Sequence, residues 1–332
     1  MDIIDLLQSL VSGDEWIKTL NAYNKKKKVP MRIRNKVFGA ARFWPQASIP
    51  WSQLKETLTN IPVVRRGTNS YLLGTDGLQI ESITPQGFDT VTPISAAELN
   101  NLKVIGVKNL KTWVDGVNMS NMRKFDVSTE ALCAQAITGK ISYPMKTETG
   151  AMEVWNVDYG ETQTYTFDET LTSADADIMD VYKALQAMDE QLQSKGFGAN
   201  VETLCGKDLF AVIGKLAGQS QSNILKVEVN KGSINIGGYI VTLENGSYQT
   251  YSAGSKMATK TVPADRMVMI DIDAGHTLWY ASIDDIDAGM KALPFFAKVA
   301  KVEDPSGVNL YNRSKPLPAV VVDAICWADG AM

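Results

Sequence analysis

Apolar positions in the opening stretch, 2-DIIDLLQSLV-11, recur at helical spacing, with Ile3, Leu6, Leu7, Leu10 and Val11 on one side and Gly13 as a stop. A second short helix is predicted over 14-DEWIKTLNAY-23, where two acids stand at the end that the helix dipole makes positive. Pro30, Pro45 and Pro50 follow, with Phe43, Trp44 and Trp51 among them, a pattern that predicts an extended segment pinned by aromatic anchors. Residues 61–94 are rich in β-branched side chains and punctuated by GTN, GTDG and PQG turns, which predicts a long hairpin. Two strands alone are marginal in water, so such a hairpin has to lie against its own body or against a neighbouring molecule.

Helical periodicity returns over 117–140, where Met119, Met122, Phe125, Leu132, Ala136 and Ile137 fall near one side and Gly139 suits the C-terminal cap. Those methionines read as core contacts, not as a cofactor box. Strand patterns follow at 141-ISYPM-145 and 152-MEVWNVDYG-160. A clearer helix has Ser173 as the expected N-cap, Asp175, Asp177 and Asp180 near its positive end, and a stripe of Val181, Tyr182, Leu185, Met188 and Leu192 before Gly196. A further helix is predicted over 206–218, with strands over 234–244 and 266–272. The class is therefore α+β.

Composition agrees with a folded chain, because 45% hydrophobic residues can fill a core while 21% charged residues keep the surface wet. The length of 332 residues predicts two lobes, or one long domain with extensions. No apolar run reaches the ~18 residues of a membrane helix. The start, MDIIDLLQSL, has two aspartates where an export signal has cations, so a cytoplasmic protein with no membrane partner is expected. Cys133, Cys205 and Cys326 are far apart and odd in number, which predicts buried free thiols and no CxxC metal site. His276 is the one histidine, so multi-histidine zinc schemes are excluded, and in AGHTLWY it reads as a surface or turn residue.

Charge changes this picture. Residues 1–66 hold 12 Lys+Arg against 5 Asp+Glu, and residues 67–332 hold 21 against 32, so a segment of net +7 is joined to a remainder of net −11. The stretch 23-YNKKKKVPMRIRNK-36 concentrates Lys25, Lys26, Lys27, Lys28, Arg32, Arg34 and Lys36. Three readings are open: a solvated face, an arm that contacts polyanion, or an arm that lies on the acidic surface of another copy.

Chemical motifs are near misses. The 196-GFGANV-201 stretch lacks the third glycine of a dinucleotide loop, and 205-CGKD-208 lacks the rest of a phosphate loop. The five residues DIDAG occur at 271–275 and at 285–289 and read as acidic turns ahead of cation sites. No catalytic constellation, metal site or cofactor site emerges, and no enzyme activity is expected. A basic tract, a hairpin that cannot stand alone and an acidic body point to a protein that contacts copies of itself.

Several stretches in order resemble the lambda-type major capsid protein E family of tailed bacteriophages: 83-ITPQGFDTVTP-93, 131-ALCAQAITGKISYPM-145, 154-VWNVDYG-160, 275-GHTLWYASIDDIDAG-289 and 304-DPSGVNLYNRSKPLPAVVVDAICW-327. The family's C-terminal Ser-x-Pro-Leu-Pro segment is matched by Ser314, Pro316, Leu317 and Pro318. The resemblance implies a Hong Kong 97-type fold with an N-terminal arm over 1–45 and an extended loop over 61–95. A peripheral domain would take 46–60 and 96–160, with a spine helix at about 117–139, an axial domain would take 160–300, and 301–332 would return to the peripheral domain. Such a subunit assembles into hexamers and pentamers of an icosahedral shell around double-stranded DNA, in the host bacterial cytoplasm, with a scaffolding protein, a portal and a decoration protein as partners.

In that frame the extended loop, with Arg65, Arg66, Tyr71, Leu72, Leu78, Ile80 and Phe88, would grip an adjacent subunit, while Phe43, Trp44 and Trp51 would supply most of the contact energy. The basic arm would lie between subunits or face packaged DNA without reading bases. Contact between subunits is the favoured reading, because lining a shell interior needs more cations than this tract supplies. The alternatives are an encapsulin-like protein nanocompartment and, from another class, a soluble DNA-binding protein using the lysine tract.

Overall fold

The computed structural model describes residues 3–25, 29–51, 82–104, 107–220, 225–252 and 255–332. Helices α1 (Ile3–Leu10), α2 (Gly13–Lys25) and α3 (Arg32–Val37) come first, then the short strands β1 (Arg42–Phe43), β2 (Ile49–Pro50) and β3 (Ser82–Ile83). Strand β4 (Phe88–Ser95) leads into α4 (Ala96–Val104) and the long α5 (Val107–Ala136). A hairpin of β5 (Lys140–Lys146) and β6 (Met152–Asp158) follows, then β7 (Gln163–Thr166), α6 (Ile178–Ser194), β8 (Val201–Cys205) and α7 (Lys207–Gln219). Next come β9 (Val227–Asn230), β10 (Ser233–Ile236), β11 (Tyr239–Leu243), β12 (Ser247–Ser252), β13 (Ser255–Lys260), β14 (Met267–Asp271) and β15 (Thr277–Tyr280). The last strands are β16 (Phe296–Val302), β17 (Gly307–Ser314), β18 (Pro316–Ala319) and β19 (Ile325–Asp329).

A seven-stranded sheet in the order β7-β19-β14-β8-β11-β10-β9 is covered on both faces near its centre. The period-2 alternation of strands decides which side chain goes where. Met267 and Met269 of β14, with Cys326 and Ala328 of β19, join the core under α6 and α7, made by Val181, Leu185, Met188, Leu192, Leu209 and Ile213. Val268, Ile270, Ile325 and Trp327 point the other way, to Leu132, Cys133, Ala136 and Ile137 of α5. The N-terminal half of α5 lies instead on the three-stranded sheet β16-β17-β4, where Val114, Met122 and Phe125 meet Ile94, Ala297, Val299, Val308 and Leu310, with Leu7 and Leu10 of α1 in the same core. One helix thus ties two sheets together.

Several expectations need correction. Helix α5 starts at Val107, ten residues before the expected 117, because Leu110 and Val114 continue the buried stripe and the exposed Gly116 does not break it. At its other end Gly139, with φ 84°, closes the last turn through its N–H to Ala136 O at 2.9 Å. The N-cap of α6 is Asp177, not Ser173: its Oδ1 accepts the N–H groups of Met179 and Asp180 while Asp180 accepts the Asp177 N–H, a reciprocal capping box that the hydroxyl four positions upstream cannot form. Residues 32–37, expected extended, are helical because the body supplies a cap.

Of the hairpin expected over 61–94, residues 61–81 lie outside the described residues. From 82 on, β3 pairs with β2, and β4 pairs antiparallel with β17, Val308 opposite Ile94 and Leu310 opposite Thr92. The C-terminal segment holds three strands in three sheets: β17 beside β4, β18 beside β15, and β19 between β7 and β14. Pro316 and Pro318 each lack an N–H, and the helical turn Val322–Ala324 redirects the chain, so one continuous ladder cannot form.

Candidate assembly interface

The basic arm lies on α5 of its own chain. Asp126 and Glu130 are four residues apart and share one face of that helix. Glu130 Oε1 accepts the N–H of Ile33 at 2.8 Å and Oε2 that of Arg34 at 3.1 Å, which caps α3 where Met31 offers no side-chain cap. Asp126 accepts from Arg34 Nη1 at 3.1 Å and from the Tyr23 hydroxyl at 2.5 Å, and Thr19 Oγ1 donates to Asp115 at 2.6 Å. Burial works against the Arg34 charge, but Tyr280 and Asp126 outweigh it and hold the guanidinium above its ordinary pKa. Burial raises the pKa of Glu130, partly opposed by the two N–H bonds, and nearby Glu244 adds to the rise. A cavity of about 310 Å³ is lined by Arg32, Val127, Glu130 and Glu244.

Several of the predicted residues have partners within the chain. Arg34, with its side chain 16% exposed, turns inward to Asp126 of its own chain. Lys36 pairs with Glu202, and Arg32 stands 3.6 Å from Glu244, while both keep a large exposed surface. Lys25 is exposed at the end of α2, and Lys26, Lys27 and Lys28 lie outside the described residues, as do Arg65, Arg66, Tyr71, Leu72, Leu78 and Ile80. Phe88 packs at 5.7 Å from Phe125 and 6.0 Å from Tyr143 of its own chain. Trp44 meets Trp279 edge-on and donates from Nε1 to Ser48 O at 2.8 Å, and Trp51 meets Tyr159 edge-on, so both anchor the arm internally. Phe43 stacks on Tyr280 but stays 52% exposed.

The C-terminal motif is internal too. Ser314 Oγ donates to Pro294 O at 2.9 Å, Pro316, Leu317 and Pro318 are buried in β18, and the Tyr159 hydroxyl donates to Pro318 O at 2.5 Å. His276, expected at the surface, is buried, because the chain around it packs as β15 beneath β18. Its Nδ1 accepts the Val321 N–H at 3.2 Å, and burial lowers its pKa to about 4, partly opposed by Asp271. The three cysteines are buried free thiols.

Sequence reasoning missed two polar clusters. Asn118 and Asn121, one helical turn apart on α5, both bond Asn312 of β17: Asn121 Nδ2 donates to Asn312 Oδ1 at 2.6 Å, and Asn312 Nδ2 donates to Asn118 Oδ1 at 3.0 Å, all three side chains buried. The N-x-x-N spacing was the available signal. The second cluster centres on Asp285, which receives Lys298 Nζ at 2.7 Å and Arg313 Nη1, while Arg313 Nε also reaches Asp89 at 2.8 Å. In the other DIDAG stretch Asp271 takes the N–H groups of Gly198, Ala199 and Asp273. Among the described residues no group of three or more His, Cys, Asp or Glu side chains could hold a metal ion, and no helix is long and apolar enough to cross a membrane.

A long helix tying two sheets, an N-terminal arm strapped along it and interlocked short strands define an α+β subunit of the Hong Kong 97-type capsid fold. The family model described as phage major capsid protein E matches residues 19–329. The chain belongs to that family. It is a phage major capsid protein, a structural component of the virion capsid that builds an icosahedral shell from copies of itself. A prophage protein of E. coli CFT073, described as a capsid protein, shares the fold with a TM-score of 0.59 at 15% identity, over 95% of this chain and 98% of that one. A phage-related protein of Bordetella bronchiseptica RB50 aligns with a TM-score of 0.48 at 10% identity, over 95% of this chain and 97% of that one. Among curated proteins no sequence matches.

Proposed function

We propose that the chain forms hexamers and pentamers of a shell that encloses double-stranded DNA and is assembled in the bacterial cytoplasm, with a scaffolding protein, a portal and a decoration protein as partners and with no catalytic step of its own. The family match over residues 19–329 carries this reading. Within it, residues 61–95 and the run Lys25–Lys28 supply contacts between copies, since Arg34 is taken up inside the chain and Arg32 and Lys36 have acidic partners there. Non-specific neutralisation of DNA phosphates by the same lysines is the weaker reading, because so short a tract covers little interior surface.

Recombinant expression followed by sedimentation and electron microscopy tests the architecture, with closed shells of hexamers and pentamers as the expected result. Nuclease-protected double-stranded DNA in particles from infected cells is expected, and a protein cargo in its place overturns the DNA reading. Reversing charge at Lys25–Lys28 is expected to lower shell yield. Unchanged assembly refutes the assignment of those lysines to subunit contacts.

A further inference from the structure

The repeated stretch DIDAG, at 271–275 and 285–289, provides an internal comparison. Each copy opens with a buried aspartate whose Oδ1 accepts the N–H two residues on, Asp273 to Asp271 at 3.0 Å and Asp287 to Asp285 at 2.9 Å. In the first copy Ile272 is half-buried, and its N–H donates to Asn200 O at 2.9 Å. In the second copy Ile286 is 83% exposed. The turn does not dictate that exposure, since the same five residues elsewhere cover their isoleucine.

The second loop is also held more firmly than its own burial requires. Asp285, with its side chain 1% exposed, sits between Lys298 and Arg313; Asp287 receives Lys298 at 3.0 Å, and Asp284 receives Lys315. The Ile283 N–H donates to Lys291 O at 3.1 Å, and Ser282 pairs with Ala292, so the loop is closed at its base. At its far side Met290 has φ 51°, a left-handed backbone unusual for a side chain of that size, and is 62% exposed. Three cations and a strained backbone therefore fix a loop whose outward side chains, Ile286 and Met290, bury little within the chain. Rigid presentation of an apolar pair is how interface anchors are built.

We propose that the loop 284–291 is a contact surface between copies of this chain, with Ile286 and Met290 at its apolar centre and Asp287 and Lys291 at its rim. A second copy is the occupant that charge complementarity selects. The loop shows both signs at its rim, Asp287 with its side chain 69% exposed and Lys291 exposed, so the same loop on another copy offers an opposite charge to each of this pair. A uniformly acidic or uniformly basic partner satisfies one sign only. The inference rests on the shell reading and adds to it the surface through which copies meet.

The test uses the full chain carrying Ile286→Asp, which leaves Asp285 and its cations in place. The expected result is a melting temperature within about 2 °C of wild type and a shell yield lowered by about tenfold or more, read by sedimentation velocity and negative-stain microscopy. Asp287→Lys and Lys291→Asp are each expected to lower the yield and, combined, to recover it in part, because copies then meet with the charges exchanged while the Asp287–Lys298 pair stays lost. This series keeps the apolar centre and decides the matter if Ile286→Asp alters the melting curve. Wild-type yield from Ile286→Asp with an unchanged melt, or a double variant no better than either single one, overturns the proposal. A wild-type chain that stays monomeric overturns the shell reading together with it.

Discussion

The Glu130 carboxylate offers the sharpest test of how the arm is held. It stands in for the missing cap of α3, taking two backbone N–H groups at 2.8 and 3.1 Å. Loss of a cap costs about 0.5–2 kcal/mol, and a hydrogen bond to a charged group contributes about 1.5–3 kcal/mol. Burial of the carboxylate, visible in its raised pKa, offsets part of this. Glu130→Ala is therefore expected to weaken docking of α3 by about 2–3 kcal/mol, which raises its local opening by roughly 30- to 150-fold. Glu130→Gln keeps one acceptor and removes the desolvation cost, so a change of about 1 kcal/mol or less is expected.

Hydrogen exchange of the Ile33 to Val37 amides reads this directly, with the amides of α6 as an internal standard. The pH dependence has a definite sign. Because the folded chain raises this acid's pKa, it binds the proton more tightly than the unfolded chain does. This group's share of stability thus increases as pH falls from neutral through the raised value, and it levels off below the unfolded value. Glu130→Gln is expected to remove that slope. An exchange rate in α3 that changes by less than about threefold in Glu130→Ala refutes the capping argument.

Two further outcomes are expected. A Cβ at Gly206 would lie 1.9 Å from Pro263 O and 2.7 Å from the Ala264 carbonyl, backbone on both counts, so Gly206→Ala is expected to cost about 3 kcal/mol or more; an unchanged urea midpoint contradicts this. His276, buried and lowered from 6.5 to about 4, is neutral in the folded chain, so the unfolded chain takes up its proton first. Stability is complete above about pH 6.5 and falls by up to about 3 kcal/mol as pH drops to about 4. As the one histidine it gives a single ring signal by NMR, and titration near 6.5 in the folded chain would show the burial argument to be wrong.

Legibility followed periodicity. The stripe Val181, Leu185, Met188 and Leu192 was readable because a long amphipathic helix repeats one signal many times, and β14 was readable because four consecutive apolar residues serve two cores. What could not be read depended on partners remote in sequence. Helix α3 exists at its place because a carboxylate 97 residues away caps it. The N-cap of α6 was misplaced because Ser173 and Asp177 are equally good residues in the abstract, and only the reciprocal bond with Asp180 decides between them. His276 looked like a turn residue because the strand that buries it, β18, lies about 40 residues on.

The charge asymmetry shows where sequence reasoning about surfaces stops. A segment of net +7 beside a remainder of net −11 is a statement about composition, and the surface that a neighbouring copy meets differs from it. Arg34, Lys36 and Arg32 meet Asp126, Glu202 and Glu244 within the chain, so part of the contrast is consumed in strapping the arm to its own body. Exposed ion pairs are worth about 0–1 kcal/mol each, and the firm part of the strap is therefore the buried set: the Glu130 cap, the Asp126 bonds and the packed Trp44 and Trp51. High salt should then loosen contacts between copies while leaving the arm in place, because screening reaches exposed charges far more than buried ones.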